Sequence, residues 1–175
     1  MEAFDYVAPR SLADAFAHLN NGRSSLVLAG GTDVIVQLRE GRRHCDQLID
    51  IKHIPELTTL RFAPDGSVEI GAAKPLAEIY EDPEVVRRLP GLVDAASLIG
   101  GIQVQSRASL GGNLCNASPA ADSSPALMAL GARLVIASAT GTREIPVEEF
   151  FLGPGQNALQ PGELLIQVKV PAQPG

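Results

Sequence analysis

The first thirty residues combine a helical spacing of apolar positions with a short apolar run. In SLADAFAHLN, which begins at Ser11, apolar residues recur every three or four positions, and Asp14 stands three residues after a serine suited to N-capping. The run SLVLA at residues 25–29 is continuously apolar, which favours a short buried strand. This part of the chain therefore predicts a helix from Ser11 followed by a strand.

A second helix and a second strand follow. DVIVQLRE predicts a helix, with Thr32 as its N-cap and Gly41 at its end. QLIDI at residues 47–51 predicts another strand. Pro55 marks a boundary, and we interpret residues 1–54 as a small lobe of mixed α and β structure.

Residues 55–175 follow a different pattern. Two β-rich runs flank Asp65-Gly66 and two more flank Thr140-Gly141, so both places are predicted hairpins. Between the hairpins, PLAEIY, DPEVVRRL, GLVDAASLI and PALMAL predict short helices. ELLIQVKV predicts a final strand. The second predicted lobe is therefore of α+β type.

Composition and charge narrow the classes of function. The 175 residues are 45% hydrophobic and 19% charged, which allows a real core and argues against disorder. The formal net charge of −6 provides no positive field for nucleic acid or anionic lipid. No window approaches the roughly 18 apolar residues of a membrane span, and MEAFDYVAPR is unlike a signal peptide. We expect a cytoplasmic protein.

Cysteine and histidine are sparse. Cys45 and Cys115 lie far apart and form no C-x-x-C pair, so the sequence predicts neither a disulfide framework nor an iron–sulfur cluster. We expect both to serve as small apolar filler. His18, His44 and His53 lie outside the glycine-rich segments, and no cluster has metal-ligand spacing. The sequence therefore predicts no metal site.

The paired glycines Gly30 and Gly31 lie between the predicted strand and helix. Backbone N–H groups at such a turn can converge on an anion, because no Cβ obstructs them and the helix N-terminus adds positive potential. A pyrophosphate suits this arrangement, although the local sequence alone favours a tight turn without any ligand. AGGTDV lacks the G-x-G-x-x-G spacing, so a Rossmann-type site is not indicated.

A second glycine pair, Gly111 and Gly112, lies in SLGGNLCNASPAAD, which begins at Ser109. Its hydroxyl and amide side chains suit hydrogen bonding to a polyol chain. Ser118 or Asp122 is placed to cap the helix that follows, and each polar residue alone could serve its own loop backbone. Together these residues favour a ligand-binding loop.

The two glycine segments together resemble a known family. AGGTD after an apolar strand, joined to the later QVQSRASLGGNLCNASPAAD, resembles the FAD-binding subunit or domain of the molybdenum hydroxylases. That family includes xanthine dehydrogenase and aerobic carbon monoxide dehydrogenase. The resemblance runs from AFDYVAPRSLADAFAHL to PGELLIQVKVP, nearly the whole chain. It implies an α+β fold of two lobes, similar to the vanillyl-alcohol oxidase and MurB-like (PCMH-type) flavoproteins, with FAD between the lobes.

The resemblance also implies which residues bind the cofactor. Gly30, Gly31 and Thr32 would hold the pyrophosphate, and Asp122 would contact the cofactor. We expect FAD to be bound non-covalently, because no histidine lies in either segment, and we expect Cys115 to be structural. The full set of implied binding residues is Val27, Leu28, Ala29, Gly30, Gly31, Thr32, Asp33, Val34, Ile99, Gly100, Ser109, Gly111, Gly112, Asn113, Asp122 and Leu165.

In function, the resemblance implies the flavoprotein component of a multi-subunit oxidoreductase. Such a subunit passes electrons from a [2Fe-2S] small subunit to an acceptor, while a molybdenum-cofactor large subunit oxidises the substrate. The alternatives are a stand-alone flavin oxidase or dehydrogenase and a binding or assembly module without redox function. Family subunits usually continue into a C-terminal domain after the strand that ends in VKVP, so we expect this domain to be absent or supplied as a separate polypeptide.

Overall fold

The apolar runs of the first fifty residues form a three-stranded parallel sheet. In the computed structural model, which describes residues 2–173, the strand order is β1-β3-β2. Parallel neighbours need crossover connections, and two helices supply them. The strands and helices are β1 (Asp5–Val7), α1 (Leu12–Leu19), β2 (Ser25–Leu28), α2 (Val34–Arg39) and β3 (Gln47–Asp50).

The helix starts in this part of the chain were predicted with mixed success. Ser11 caps α1, because its Oγ accepts a hydrogen bond from the Asp14 backbone N–H at 3.2 Å. The prediction that Thr32 caps α2 is wrong. The N-cap position is Asp33, whose backbone is already helical and whose side chain forms no capping bond. The strand β1 was not predicted, since three residues are too few to show a period.

The rest of the chain forms a five-stranded antiparallel sheet and a layer of short helices. The strand order is β4-β5-β10-β6-β7, so the last strand lies in the centre, between two predicted hairpins. The Asp65-Gly66 and Thr140-Gly141 turns are both confirmed. The strands of this sheet are β4 (Leu60–Phe62), β5 (Val68–Gly71), β6 (Arg133–Ser138), β7 (Gly141–Pro146) and β10 (Leu164–Val170).

The helices of this part pack with the sheet around the larger hydrophobic core. A small hairpin, β8 (Phe151–Gly153) and β9 (Gln156–Asn157), was not predicted. The helices are α3 (Leu76–Tyr80), α4 (Pro83–Arg88), α5 (Pro90–Ser97), α6 (Ile102–Gln105), α7 (Leu110–Asn116) and α8 (Ser123–Ala129). None of the helices within residues 2–173 has the length and apolar character that a membrane crossing requires.

The second glycine segment is a helix, not the loop that its composition suggested. Ser109 caps α7, since its Oγ accepts a hydrogen bond from the Gly112 N–H at 3.1 Å. Leu110 and Leu114, one helical turn apart, are both fully buried in the larger core. Burial of these leucines and the serine cap outweigh the low helix propensity of the glycine pair.

A second hydrophobic cluster joins the two sheets. Ala15 and Ile49 come from the first sheet and its helix, and Ala137 and Leu164 come from the second. All four are at most 3% exposed, so the two sheets share a continuous interior. The glycine segments lie beside this shared interior.

Two of the four paired glycines allow close backbone contact. A Cβ added at Gly30 would overlap the carbonyl of Arg107, and one added at Gly111 would lie 2.5 Å from the carbonyl oxygen of Ala72. The Gly111 N–H donates to that same oxygen at 3.0 Å. Glycine is needed at these two positions because of contacts inside the fold, whatever the ligand.

We expect Gly111→Ala to lower the free energy of unfolding by about 1–3 kcal/mol, as is usual for overpacking. The physical reason is that the new methyl group meets backbone and the Ala72 side chain, which cannot easily move aside. Gly91→Ala in α5 is the matched control, because nothing lies within 4 Å of its added Cβ. Urea unfolding curves measure the stability of both variants. A Gly111→Ala midpoint equal to that of Gly91→Ala would contradict the close contact at Gly111.

Candidate functional site

A cavity of about 530 Å³ lies between the two sheets and is lined by both glycine segments. Its walls combine amide and hydroxyl groups with apolar side chains such as Ile51, Val104 and Leu159. This volume lies within the range of about 300–1,000 Å³ that is typical of small-molecule and cofactor sites. The mixed lining suits a ligand with both polar and apolar parts.

The structure brings nearly all of the predicted site residues to this cavity. The exception is Leu28, whose side chain is buried against Leu38 and Leu48 in a separate cluster. The lining residues that were predicted are Val27, Ala29, Gly30, Gly31, Thr32, Asp33, Val34, Ile99, Gly100, Ser109, Gly111, Gly112, Asn113, Asp122 and Leu165. A role for Leu28 in cofactor binding stays a prediction, since its side chain packs in this separate cluster while its neighbours Val27 and Ala29 line the cavity.

The first glycine segment presents unpaired backbone donors to the cavity. Within residues 2–173, the N–H groups of residues 30–34 donate to no protein acceptor. Gly31 has φ +81°, a left-handed conformation that glycine adopts without strain, and it turns the chain from β2 into α2. A run of N–H groups at a left-handed turn forms a concave site for an anion. This segment therefore offers unpaired backbone donors of the kind that an anionic ligand can use.

The second segment differs from the prediction in how its backbone is used. The N–H groups of Gly111, Gly112 and Asn113 are all bonded within the protein, to Ala72 O, Ser109 Oγ and Ser109 O. Its contribution to the cavity consists of exposed backbone surface and side chains. Gly112 has the more open position, since an added Cβ would meet only Ser109 Oγ at 3.2 Å and Ala29 Cβ at 4.0 Å.

Several side-chain amides on the cavity wall connect the two segments. Gln37 of α2 donates to Asn116 Oδ1 of α7 at 3.2 Å, so a hydrogen bond links the two helices directly. Asn113 Oδ1 accepts from the Ser123 hydroxyl at 2.6 Å, and its amide nitrogen has no acceptor within the described residues. Neither Ser118 nor Asp122 caps α8 with its side chain, contrary to the prediction. The carboxylate of Asp122 is thus left at the cavity without a protein partner in the described part of the chain.

Acidic side chains outnumber basic ones on the cavity wall. The acidic residues are Asp33, Asp122 and Glu163, and Arg43 is the one cation that lines the cavity among the described residues. Arg143 binds Glu163 through two hydrogen bonds of 2.8 and 2.7 Å, which holds the pKa of Glu163 below its usual value. Glu163 is therefore neutralised locally, and Arg43 remains available to an anionic ligand.

Cys115 lies on the cavity wall, and its surroundings keep it protonated. Burial raises the pKa of its thiol to about 12. A thiol with this pKa has almost no thiolate at neutral pH, so it is a poor nucleophile. The expectation of an unreactive Cys115 is consistent with this environment. No group of three or more His, Cys, Asp or Glu residues within 2–173 could hold a metal ion.

Sequence reasoning missed several wall residues. Gln37 follows Asp33 by one helical turn, so the spacing could have placed both on one face of α2. Arg43, Asn157 and Leu159 carry no such signal, because the tertiary fold alone brings their loops to the cavity.

Comparison with known proteins places this geometry in a family. Residues 2–173 match the model described as the FAD binding domain in molybdopterin dehydrogenase. The chain is 38% identical to the xanthine dehydrogenase FAD-binding subunit of Escherichia coli O157:H7, with 97% of this chain and 58% of the relative covered. It is 35% identical to the carbon monoxide dehydrogenase medium chain of Hydrogenophaga pseudoflava, with 97% and 59% covered.

A solved structure agrees with the sequence comparisons. The fold matches carbon monoxide dehydrogenase from Hydrogenophaga pseudoflava with a TM-score of 0.95 and 33% identity, over 99% of this chain and 60% of that one. The chain thus spans less than two thirds of the length of these relatives. With a match over residues 2–173 and a cavity built from both glycine segments, this chain belongs to the family of FAD-binding domains of molybdopterin dehydrogenases.

Proposed function

We propose that this chain binds FAD non-covalently in the cavity and serves as the flavoprotein component of a molybdenum hydroxylase. The observation that carries the proposal is the run of unpaired N–H groups at residues 30–34, which lies on the cavity wall. A pyrophosphate needs several hydrogen-bond donors at one place. The N–H groups of residues 30–34 donate to no protein acceptor within the described residues, so they are free to bind it. The residues present therefore fit the group.

Other wall residues fit the remaining parts of FAD. The Asn113 amide and the Asp122 carboxylate, both without a full set of protein partners, suit the hydroxyls of a ribityl or ribose unit. Arg43 supplies a positive charge for the phosphates. Ile99, Gly100 and Leu165 form apolar wall for the isoalloxazine. FAD when bound supplies reversible electron acceptance, and the protein orients it and limits its exposure.

We further infer that the chain divides into lobes at residues 1–54 and 55–175, in the PCMH-type arrangement. Support comes from the sheets, since the parallel sheet uses only strands between Asp5 and Asp50 and the antiparallel sheet only strands after Leu60. FAD then lies between the lobes.

We infer that electrons reach this site from [2Fe-2S] clusters of a small subunit and leave to an acceptor. A large subunit with the molybdenum cofactor oxidises the organic substrate. The support is twofold. The matched relatives are named as a subunit and a medium chain of dehydrogenases. The sequence also resembles the flavoprotein component of such complexes, in the two glycine segments that line the cavity.

Gly112→Val is expected to abolish FAD retention, because the side chain would extend from α7 into the space between the two glycine segments. Gly112 does not have a positive φ, so the variant keeps a normal backbone. Gly91→Val in α5 is the control, since its added Cβ has open space around it. Equilibrium dialysis with FAD measures the effect. A folded Gly112→Val chain that holds FAD like the parent would place the site elsewhere.

The flavin is expected to be released completely by acid, and to be FAD and not FMN. The thiol of Cys115, with a pKa of about 12, provides no nucleophile at neutral pH, and no histidine lines the cavity among the described residues. Acid precipitation followed by chromatography of the supernatant identifies the flavin. Cys115→Ser should retain as much FAD as the parent. Flavin that stays with the precipitate would refute the non-covalent assignment.

Reduction of the bound flavin by a hydroxylase substrate is expected to require partner subunits. A chemical reductant such as dithionite should bleach the FAD-loaded chain directly, because that reaction needs only access to the flavin. Purines, aldehydes or carbon monoxide should not bleach it anaerobically until the molybdenum and iron–sulfur subunits are added. Rapid bleaching by a substrate without partners would favour a stand-alone flavoenzyme. A folded chain that takes up no FAD would favour a binding or assembly module.

A further inference from the structure

The wall formed by Ile99 and Gly100 belongs to a turn in which Ile99 is partly buried against the larger core and Gly100 is exposed. It joins α5 to α6, and Gly100 has φ +62°. Its backbone bonds to α5 are long, with Ile99 N to Ala96 O at 3.3 Å. The neighbouring Leu98 and Ile102 are 70% and 55% exposed, so their side chains do not anchor the turn in the core.

One buried side chain holds this turn in place. Gln105 of α6 is 7% exposed, and its amide nitrogen donates to Ser97 O at 2.7 Å and to Gly100 O at 3.1 Å. Its amide oxygen accepts from the Tyr80 hydroxyl at 2.8 Å. Both amide protons and the amide oxygen are therefore used. The turn is tied through one side chain to α3, which packs in the larger core.

We propose that Gln105 is a positioning residue for the flavin, because it fixes the Ile99–Gly100 wall of the cavity through these three hydrogen bonds. The inference rests on the proposed function, since it assigns this wall to the isoalloxazine end of FAD. Gln105 does not line the cavity and acts only through the turn. The N–H groups of residues 30–34, which would hold the pyrophosphate, lie on a different element and share no hydrogen bond with Gln105.

Glutamine is the residue type that this role requires. The two acceptors are carbonyl oxygens and the third partner is a hydroxyl donor, so a side chain needs two donors and one acceptor. Glutamate would place a carboxylate against two carbonyl oxygens, and leucine would remove the hydrogen-bond partner of two carbonyls and a phenol. Either change releases the turn from α3, because all three hydrogen bonds depend on the Gln105 amide.

The test compares Gln105→Leu with Gln103→Leu, an exposed glutamine of the same helix. For each purified chain we would measure the FAD dissociation constant, the affinity for ADP by competition, and the midpoint potential of bound flavin. We expect Gln105→Leu to weaken FAD binding on the order of tenfold, from the unpaired groups it creates. Its ADP affinity should stay within about twofold of the parent, because ADP needs only the phosphate end. The flavin potential should shift, while Gln103→Leu should match the parent in all three.

The outcomes separate the two proposals. A parent chain that binds no FAD defeats the proposed function, and this inference with it. A parent that binds FAD while Gln105→Leu behaves like Gln103→Leu overturns the positioning role alone. Equal losses of FAD and ADP affinity overturn it too, since they indicate general destabilisation. If Gln105→Leu does not fold, Tyr80→Phe removes a single hydroxyl, and an unchanged FAD affinity and potential in that variant would overturn the inference.

Discussion

The contact between backbone segments at Gly30 and at Gly111 is the constraint on which the rest of this site depends. At each position another chain segment approaches so closely that a Cβ would overlap a carbonyl group. These contacts set the distance between the parallel sheet, the start of α7 and the turn before α3. The cavity between the sheets has its shape because glycine permits this approach. One glycine of each predicted ligand-binding pair therefore serves to allow close backbone packing.

Within each pair, the two glycines have different structural roles. Gly30 and Gly111 allow the segments to approach, while Gly31 turns the chain with a positive φ and Gly112 leaves open surface at the cavity. The bond to Ala72 and the cap by Ser109 use the N–H groups of Gly111 and Gly112, whereas those of Gly30 and Gly31 have no protein acceptor within residues 2–173. Of the two pairs, the first is therefore the one whose backbone N–H groups are free to bind an anion. The opposite side of the cavity offers side-chain amides and apolar surface, which suits a long ligand with a charged middle.

Hydrogen bonds carried by side chains then stabilise the walls. Gln37 links α2 to Asn116, and Gln105 links the Ile99–Gly100 turn to Tyr80. Both glutamines join elements that are distant along the chain, and both leave their partners unsatisfied if removed. The acidic side chain of Glu163 is held by Arg143, which offsets its negative charge, while Asp33 and Asp122 remain on the wall. Position and charge of the walls thus follow from a small number of polar contacts around a shared apolar interior.

The sequence by itself determined the longer strands and most of the helices, the Asp65-Gly66 and Thr140-Gly141 hairpins, the Ser11 cap and the two glycine segments, because these depend on local periodicity and turn chemistry. It also indicated the ligand class through the pairing of those segments, and nearly all of the residues it named lie on the cavity. The tertiary structure decided the rest. Leu28 packs against Leu38 and Leu48, and α7 is helical because Leu110 and Leu114 are buried in the larger core and Ser109 caps its start. Arg43, Asn157 and the role of Gln105 could not be read from the chain, since their significance depends on loops that meet only in three dimensions.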